Sequence, residues 1–252
     1  MTPSEPTVPH PKGLWRRALL AAFAAALVSW LGGEAAYRQF VAARDADLPA
    51  RFRGNQGASA AYLKSSFKVD QARLASATYG MLGGALGLGL GLAGGLSGRV
   101  PGAAKRAAAV GLILGATVGA AVPRGVVPLY FRALDGISET EESGDVQWAL
   151  ATHATIWASV GLVGGLALSL GLGAGAGSAV GTAVGGALGG ILGAVTYEII
   201  GALAFSTSRS GLPVGETAML RVLAQGFPAL AVAVCATLGS ARNSRKVVPR
   251  SN

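Results

Sequence analysis

Long apolar stretches alternate with short charged segments along this chain. The clearest stretch, from Val146 to Tyr197, contains no Asp, Glu, Lys or Arg. Because one bilayer crossing takes ~20 apolar residues, it is long enough for two membrane spans joined by a tight turn. The same pattern predicts six spans in all, at about 17–36, 76–98, 107–128, 152–172, 178–204 and 218–240.

Composition supports a membrane protein. Hydrophobic residues make up 51% of the 252 residues and charged residues only 13%, which is too little polar surface to coat a water-soluble domain. The predicted fold class is therefore all-α, a polytopic transmembrane helical bundle. The net charge of +9 comes from basic residues that flank apolar segments, where they set orientation and contact anionic lipid, so nucleic acid is not an expected partner.

The predicted organisation is one six-helix membrane domain, 15–240, between two tails. Residues 1–14 form a proline-containing tail expected to be disordered, and 241–252 form a basic tail. Residues 37–73 are the one extramembrane region of any size. Their apolar spacing predicts an amphipathic hairpin that extends the first and second spans or lies in the headgroups, and an ordinary solvated hairpin remains an open alternative.

The N-terminal apolar run is interpreted as an uncleaved first span. Arg16 and Arg17 precede it as in a secretory signal, but no clean small-x-small cleavage site follows before Glu34. Basic residues directly abut spans at Lys12–Arg17 and Arg99–Arg106, which favours cytoplasmic placement of both termini. The Ala, Gly and Arg bias indicates a bacterial cytoplasmic (inner) membrane.

Glycine spacing predicts how the helices pack. Helices in lipid gain little from burying apolar side chains against each other, so small residues that let backbones approach decide their association. Such spacing is similar to that of glycine-zipper membrane proteins in general, although codon bias alone is an open alternative. The glycines predicted to lie at helix contacts are Gly84, Gly87, Gly91, Gly111, Gly115, Gly119, Gly161, Gly165, Gly181, Gly185, Gly189 and Gly193.

The glycines also suggest an internal repeat. An offset of 77 aligns the second span with the fourth, and an offset of 74 aligns the third with the fifth. The repeat would be parallel, with its axis along the membrane normal. Chance matching between glycine-rich segments is the alternative. Under this alignment Arg124 and Glu198 occupy equivalent depths.

Glu198 is the one acid well inside a predicted span, since Glu34 lies at the uncertain end of the first, so Glu198 needs a partner or a proton. The hypothesis is an ion pair of Glu198 with Arg124 or with Arg221. The alternative is that Glu198 forms a proton- or cation-linked site. His153 is predicted to be an interfacial anchor without a ligand role, and Cys235 a packing residue.

No catalytic, cofactor-binding or metal-binding residues are predicted, and an enzyme is not expected. The leading hypothesis is a non-enzymatic accessory or structural subunit, in contact with the lipid bilayer and with a membrane-protein partner or further copies of itself. The alternative is a small-solute transporter or channel with a site near Glu198. A lipid- or envelope-associated module using residues 34–73 is a third hypothesis.

Overall fold

We describe a computed structural model of the chain that covers residues 11–51, 56–98, 100–136, 142–205 and 211–244. Within these ranges the secondary structure is helical, without strands, which confirms the predicted all-α class. The helices are α1 (Pro11–Arg51), α2 (Gln56–Ser97), α3 (Ala103–Asp135), α4 (Glu142–Leu172), α5 (Ala176–Ala204) and α6 (Ala218–Ser244).

All six helices contain a segment long and apolar enough to cross a membrane, so the chain is a multi-pass integral membrane protein. The predicted 1–14 tail is partly helical, because α1 begins at Pro11, and residues 1–10 lie outside the described ranges. The last predicted segment, 241–252, continues α6 as far as Ser244, and the rest lies outside the description. The arms of the predicted 37–73 hairpin are helical extensions of the first two spans.

Helices α2 and α4 lie at the centre of the bundle. Helix α2 packs against α1, α3 and α4, while α5 packs between α4 and α6, and α6 returns to contact α1. The two central helices also bury the largest share of their apolar segments. Short turns join α2 to α3 and α4 to α5, and Gly173 in the α4–α5 turn has a φ of 66°, which L side chains rarely adopt.

Close backbone contacts join α2 to α3. Gly87 faces Gly111 and Gly83 faces Gly115, and a β-carbon built on any of these four would lie less than 3.0 Å from the facing backbone. The pairs step by four residues along both helices, so one glycine face runs the length of this contact. Gly84, Gly91 and Gly119 also lie in the α2–α3 contact.

Helix α5 uses two glycine faces. One contains Gly186 and Gly190, which face α4. The other consists of glycines at four-residue steps, from Gly181 to Gly193, and it faces α6. The remaining predicted packing glycines all lie at contacts of α5, and they are Gly161 and Gly165 on α4 with Gly181, Gly185, Gly189 and Gly193 on α5.

The packing does not follow the predicted repeat. The two offsets would carry the Gly87–Gly111 contact onto Gly164 and Gly185. Instead Gly164 faces side chains of α2 and α6, and Gly185 faces the backbone of α6. The predicted alignment of the α2–α3 pair with the α4–α5 pair is therefore wrong in register. Arg124 and Glu198 are consequently not equivalent positions in the packing.

Candidate functional site

A buried pair of titratable side chains joins α4 to α5. His153 Nδ1 lies 2.5 Å from Glu198 Oε1, and His153 is 0% exposed and Glu198 9%. The α4–α5 glycine register brings them together. In this register Gly161 contacts Gly186, and Trp157 contacts Gly190. One helical turn further along both helices, His153 lies near Ala194, which is one turn from Glu198.

Aromatic rings enclose this pair. The imidazole of His153 stacks on Trp157, with ring centroids 5.0 Å apart and planes at 17°. Tyr197 meets the same imidazole edge to face at 5.3 Å, and Tyr79 of α2 packs against Trp157 at 6.3 Å. These contacts fix the orientation of the imidazole. We call these residues, together with Glu198, the aromatic-cage site.

The aromatic-cage site leaves one polar atom of its histidine unused. Nδ1 is engaged by the carboxylate, whereas Nε2 is buried without a hydrogen-bond partner among the described residues. A buried imidazole whose second nitrogen is free can accept or release a proton or bind a polar group that reaches it. The described residues nowhere bring three His, Cys, Asp or Glu side chains together, so the site has two candidate ligands for a metal and no third.

The predicted pairing of Glu198 with Arg221 is wrong, because Arg221 forms its ion pair with Glu34. Its Nε donates to Glu34 Oε1 at 2.5 Å and its Nη2 to Glu34 Oε2 at 3.0 Å, a bidentate pair between α6 and α1. The guanidinium carbon also lies 4.0 Å from the centre of the Tyr37 ring. Arg221 is 6% exposed, so this pair is largely removed from solvent.

Arg221 also holds the irregular segment 211–217 against the bundle. Its Nη1 donates to the carbonyls of Gly215 and Glu216, at 3.0 and 2.7 Å. From α2, Tyr79 Oη donates to the Pro213 carbonyl at 2.8 Å. Buried non-helical backbone needs such partners, because water does not reach it. The segment therefore closes the bundle over the aromatic-cage site.

The predicted pairing of Glu198 with Arg124 is also wrong. Arg124 is exposed and lines a pocket between α2 and α3, and α3 makes no contact with α5 among the described residues. The predicted role of His153 as an interfacial anchor is equally wrong, since the residue is buried and pairs with Glu198. The sequence did contain a signal for the His153–Glu198 pair. The short turn between α4 and α5 fixes which residues of the two helices face each other.

A long apolar groove follows α2 on the lipid-facing side, between α1 and α3. Its volume is about 1020 Å³, and we call it the α1–α3 groove. Its floor and walls are mainly small residues, among them Ala24 on α1, Gly84 on α2 and Ala116 on α3. Arg17 lies at one end, where it donates to the carbonyl of Leu96 at 2.5 Å.

Two further cavities lie towards the other end of the bundle. One is lined by Tyr37, Phe67 and Gln71 together with neighbouring residues, and the second is the pocket that contains Arg124. Neither these cavities nor the α1–α3 groove is lined by His153 or Glu198.

Comparison of the chain with protein-family models, with curated proteins and with solved structures gave no match.

Proposed function

We propose that this multi-pass membrane protein is a non-enzymatic accessory subunit that receives a transmembrane helix of a partner membrane protein in the α1–α3 groove. The shape and lining of that groove carry the proposal. Because it is apolar and faces lipid, its occupant must be apolar over the same length.

The length of the groove favours a helix over a lipid tail. Its lining residues on α2 run from Ser76 to Leu96, which corresponds to ~30 Å of helix and equals the thickness of the hydrocarbon core. One acyl chain belongs to one leaflet and fills about half of that depth. A transmembrane helix fills all of it.

The small residues of the groove favour close helix packing. Ala24, Ala85 and Ala116 leave little side-chain bulk between an incoming helix and the backbones of α1, α2 and α3. Contacts of this kind drive association in lipid, where burial of apolar surface contributes little. The glycine-packed interior gives the groove a rigid floor, which lowers the entropy cost of binding.

A site-specific photocrosslinker at position 24 tests the proposal in native membranes. We expect one crosslinked membrane protein, with the contact mapped to a transmembrane segment. Ala24→Phe fills the groove and should abolish copurification in mild detergent. Ala121→Phe adds the same bulk at an exposed alanine outside the groove and should preserve it. Crosslinks to lipid alone, or equal loss with both variants, would refute the proposal, and crosslinks to a second copy would identify a homo-oligomer.

A second candidate function is transport of a small solute or of protons through a site near Glu198. The observation that favours it is the buried His153–Glu198 pair, since titratable groups inside a membrane domain commonly serve transport. Proteoliposomes that contain a pH-sensitive dye test this function. Proton flux that disappears with Glu198→Gln would favour transport over the accessory role. Flux equal to that of empty vesicles would remove this candidate.

A further inference from the structure

A group of basic side chains surrounds a pocket between α2 and α3, at the end of these helices nearest the 37–73 segment. The pocket has a volume of about 470 Å³. Its apolar walls include Val69, Ala72, Pro128 and Phe131. Its charged lining consists of Lys68, Arg73, Arg124, Arg132 and Asp135, and we call it the basic pocket.

Two of the arginines lie at nearly the same depth along α2 and α3. The contacts between Gly83 and Gly115 and between Tyr79 and Gly119 step by four residues on each helix. One turn further, the same register pairs Ala75 with Pro123. Arg124 is therefore level with Leu74, the residue that follows Arg73 in the sequence. Both arginines line the pocket, one from each of the two neighbouring helices.

Acidic side chains do not balance this charge. Asp135 is already shared, because its carboxylate lies 2.5 Å from Lys68 Nζ and 3.6 Å from Lys64 Nζ. Arg73 approaches Asp70 only at 4.0 Å. Neither Arg124 nor Arg132 makes an ion pair with another described residue. The basic pocket thus carries excess positive charge that an anion would neutralise.

The depth of the basic pocket matches the boundary between hydrocarbon and headgroups. Arg73 lies just outside the second predicted span, which begins at 76, and Arg124 lies one turn inside the end of the third, at 128. Arg132 is two turns beyond Arg124, or ~12 Å further towards the water. An occupant must therefore combine an anionic group at this boundary with an apolar portion against Val69 and Pro128.

We propose that the basic pocket binds an anionic phospholipid, with the headgroup phosphate between Arg73 and Arg124 and an acyl chain along the apolar wall. Arginine suits this role because its planar guanidinium offers paired donors to phosphate oxygens. Lys68 is held by Asp135 and helps to join α2 to α3 above the phosphate.

Native mass spectrometry of the full chain in detergent, with added phosphatidylglycerol or phosphatidylcholine, tests the proposal. We expect retained phosphatidylglycerol adducts and weaker phosphatidylcholine adducts. The double variant Arg73→Gln with Arg124→Gln should bind phosphatidylglycerol roughly thirtyfold more weakly, about fivefold for each basic group at a membrane surface. Arg38→Gln with Arg106→Gln removes the same charge from exposed positions outside the pocket and is the matched control.

A second variant separates binding from folding. Arg73→Lys with Arg124→Lys preserves the positive charge but not the paired donors, so it should bind phosphatidylglycerol more tightly than the glutamine variant and more weakly than the wild type. Gel-filtration profiles and melting temperatures show which variants are folded. Inorganic phosphate added to the wild type should not displace the lipid, because it lacks the acyl chain. Equal loss in the pocket and control variants, no loss in either, or no preference for phosphatidylglycerol over phosphatidylcholine would overturn the proposal.

Discussion

Replacement of single glycines by alanine gives a direct measure of how closely the backbones of α2 and α3 approach. Gly115 is the most informative position, because a β-carbon there would collide with the backbone carbonyl of Gly83. A rigid backbone cannot rotate away as a flexible side chain can. Gly125 on the same helix is the matched control, since a β-carbon there meets nothing within 4 Å.

The magnitude follows from two opposing effects. Alanine favours a helix over glycine by roughly 1 kcal/mol, and this gain applies to both variants. A methyl group forced into a packed interface costs about 1–3 kcal/mol, and this cost applies only at Gly115. The difference in unfolding free energy between Gly115→Ala and Gly125→Ala should therefore be about 1–3 kcal/mol, with Gly125→Ala the more stable.

Tryptophan fluorescence during heating in detergent provides the assay, because Trp157 is buried in the bundle and reports its loosening. For a domain of 150–250 residues, each kcal/mol shifts the melting temperature by about 2–4 °C. Gly83→Ala, which changes the facing position, should behave like Gly115→Ala. If Gly115→Ala melts at or above the temperature of Gly125→Ala, the backbones are not in close contact and the packing argument fails.

Three other variants test the polar contacts. Arg221→Gln leaves its carboxylate partner on α1 unpaired, so it should lower the free energy of unfolding by about 3–5 kcal/mol, as measured by thermal unfolding. The exposed control Arg38→Gln should change that free energy by less than about 0.5 kcal/mol. Glu198→Gln and His153→Gln should each destabilise, and a double-mutant cycle should give a coupling of about 0.5–3 kcal/mol; no coupling would mean that the pair does not form. Tyr79→Phe should cost about 1–3 kcal/mol by leaving a buried carbonyl of segment 211–217 without its donor, and faster amide exchange in that segment would locate the effect.

The helical class and the six spans were predictable because they depend on local information. A span is a continuous apolar stretch of fixed length, and the stretch from Val146 to Tyr197 carries that signal without reference to other helices. Five predicted spans therefore fall within single helices, and the second, 76–98, runs one residue past the end of α2 at Ser97.

The partners of the buried charges were not predictable in the same way. The predicted pairing of Glu198 with Arg124 depended on the repeat alignment, and a register error of two residues rotates a helix by more than half a turn. The pairing with Arg221 depended only on its place early in the sixth span, on the same side of the membrane as Glu198. The Arg221–Glu34 pair joins the first and last helices, and no turn or spacing connects them in sequence. His153 could have been found, because the short α4–α5 turn limits the partners that Glu198 can reach.

Adjacent glycines carry a signal about which helices have two close neighbours. Consecutive residues on an α-helix point about 100° apart, so a pair of glycines offers two smooth faces. On α5, Gly189 faces α6 while Gly190 faces α4. On α4, Gly164 faces side chains of α2 and α6 while Gly165 faces the backbone of α5. Helices α4 and α5 can therefore approach partners on two sides within van der Waals distance, and single glycines at four-residue steps would provide only one such side.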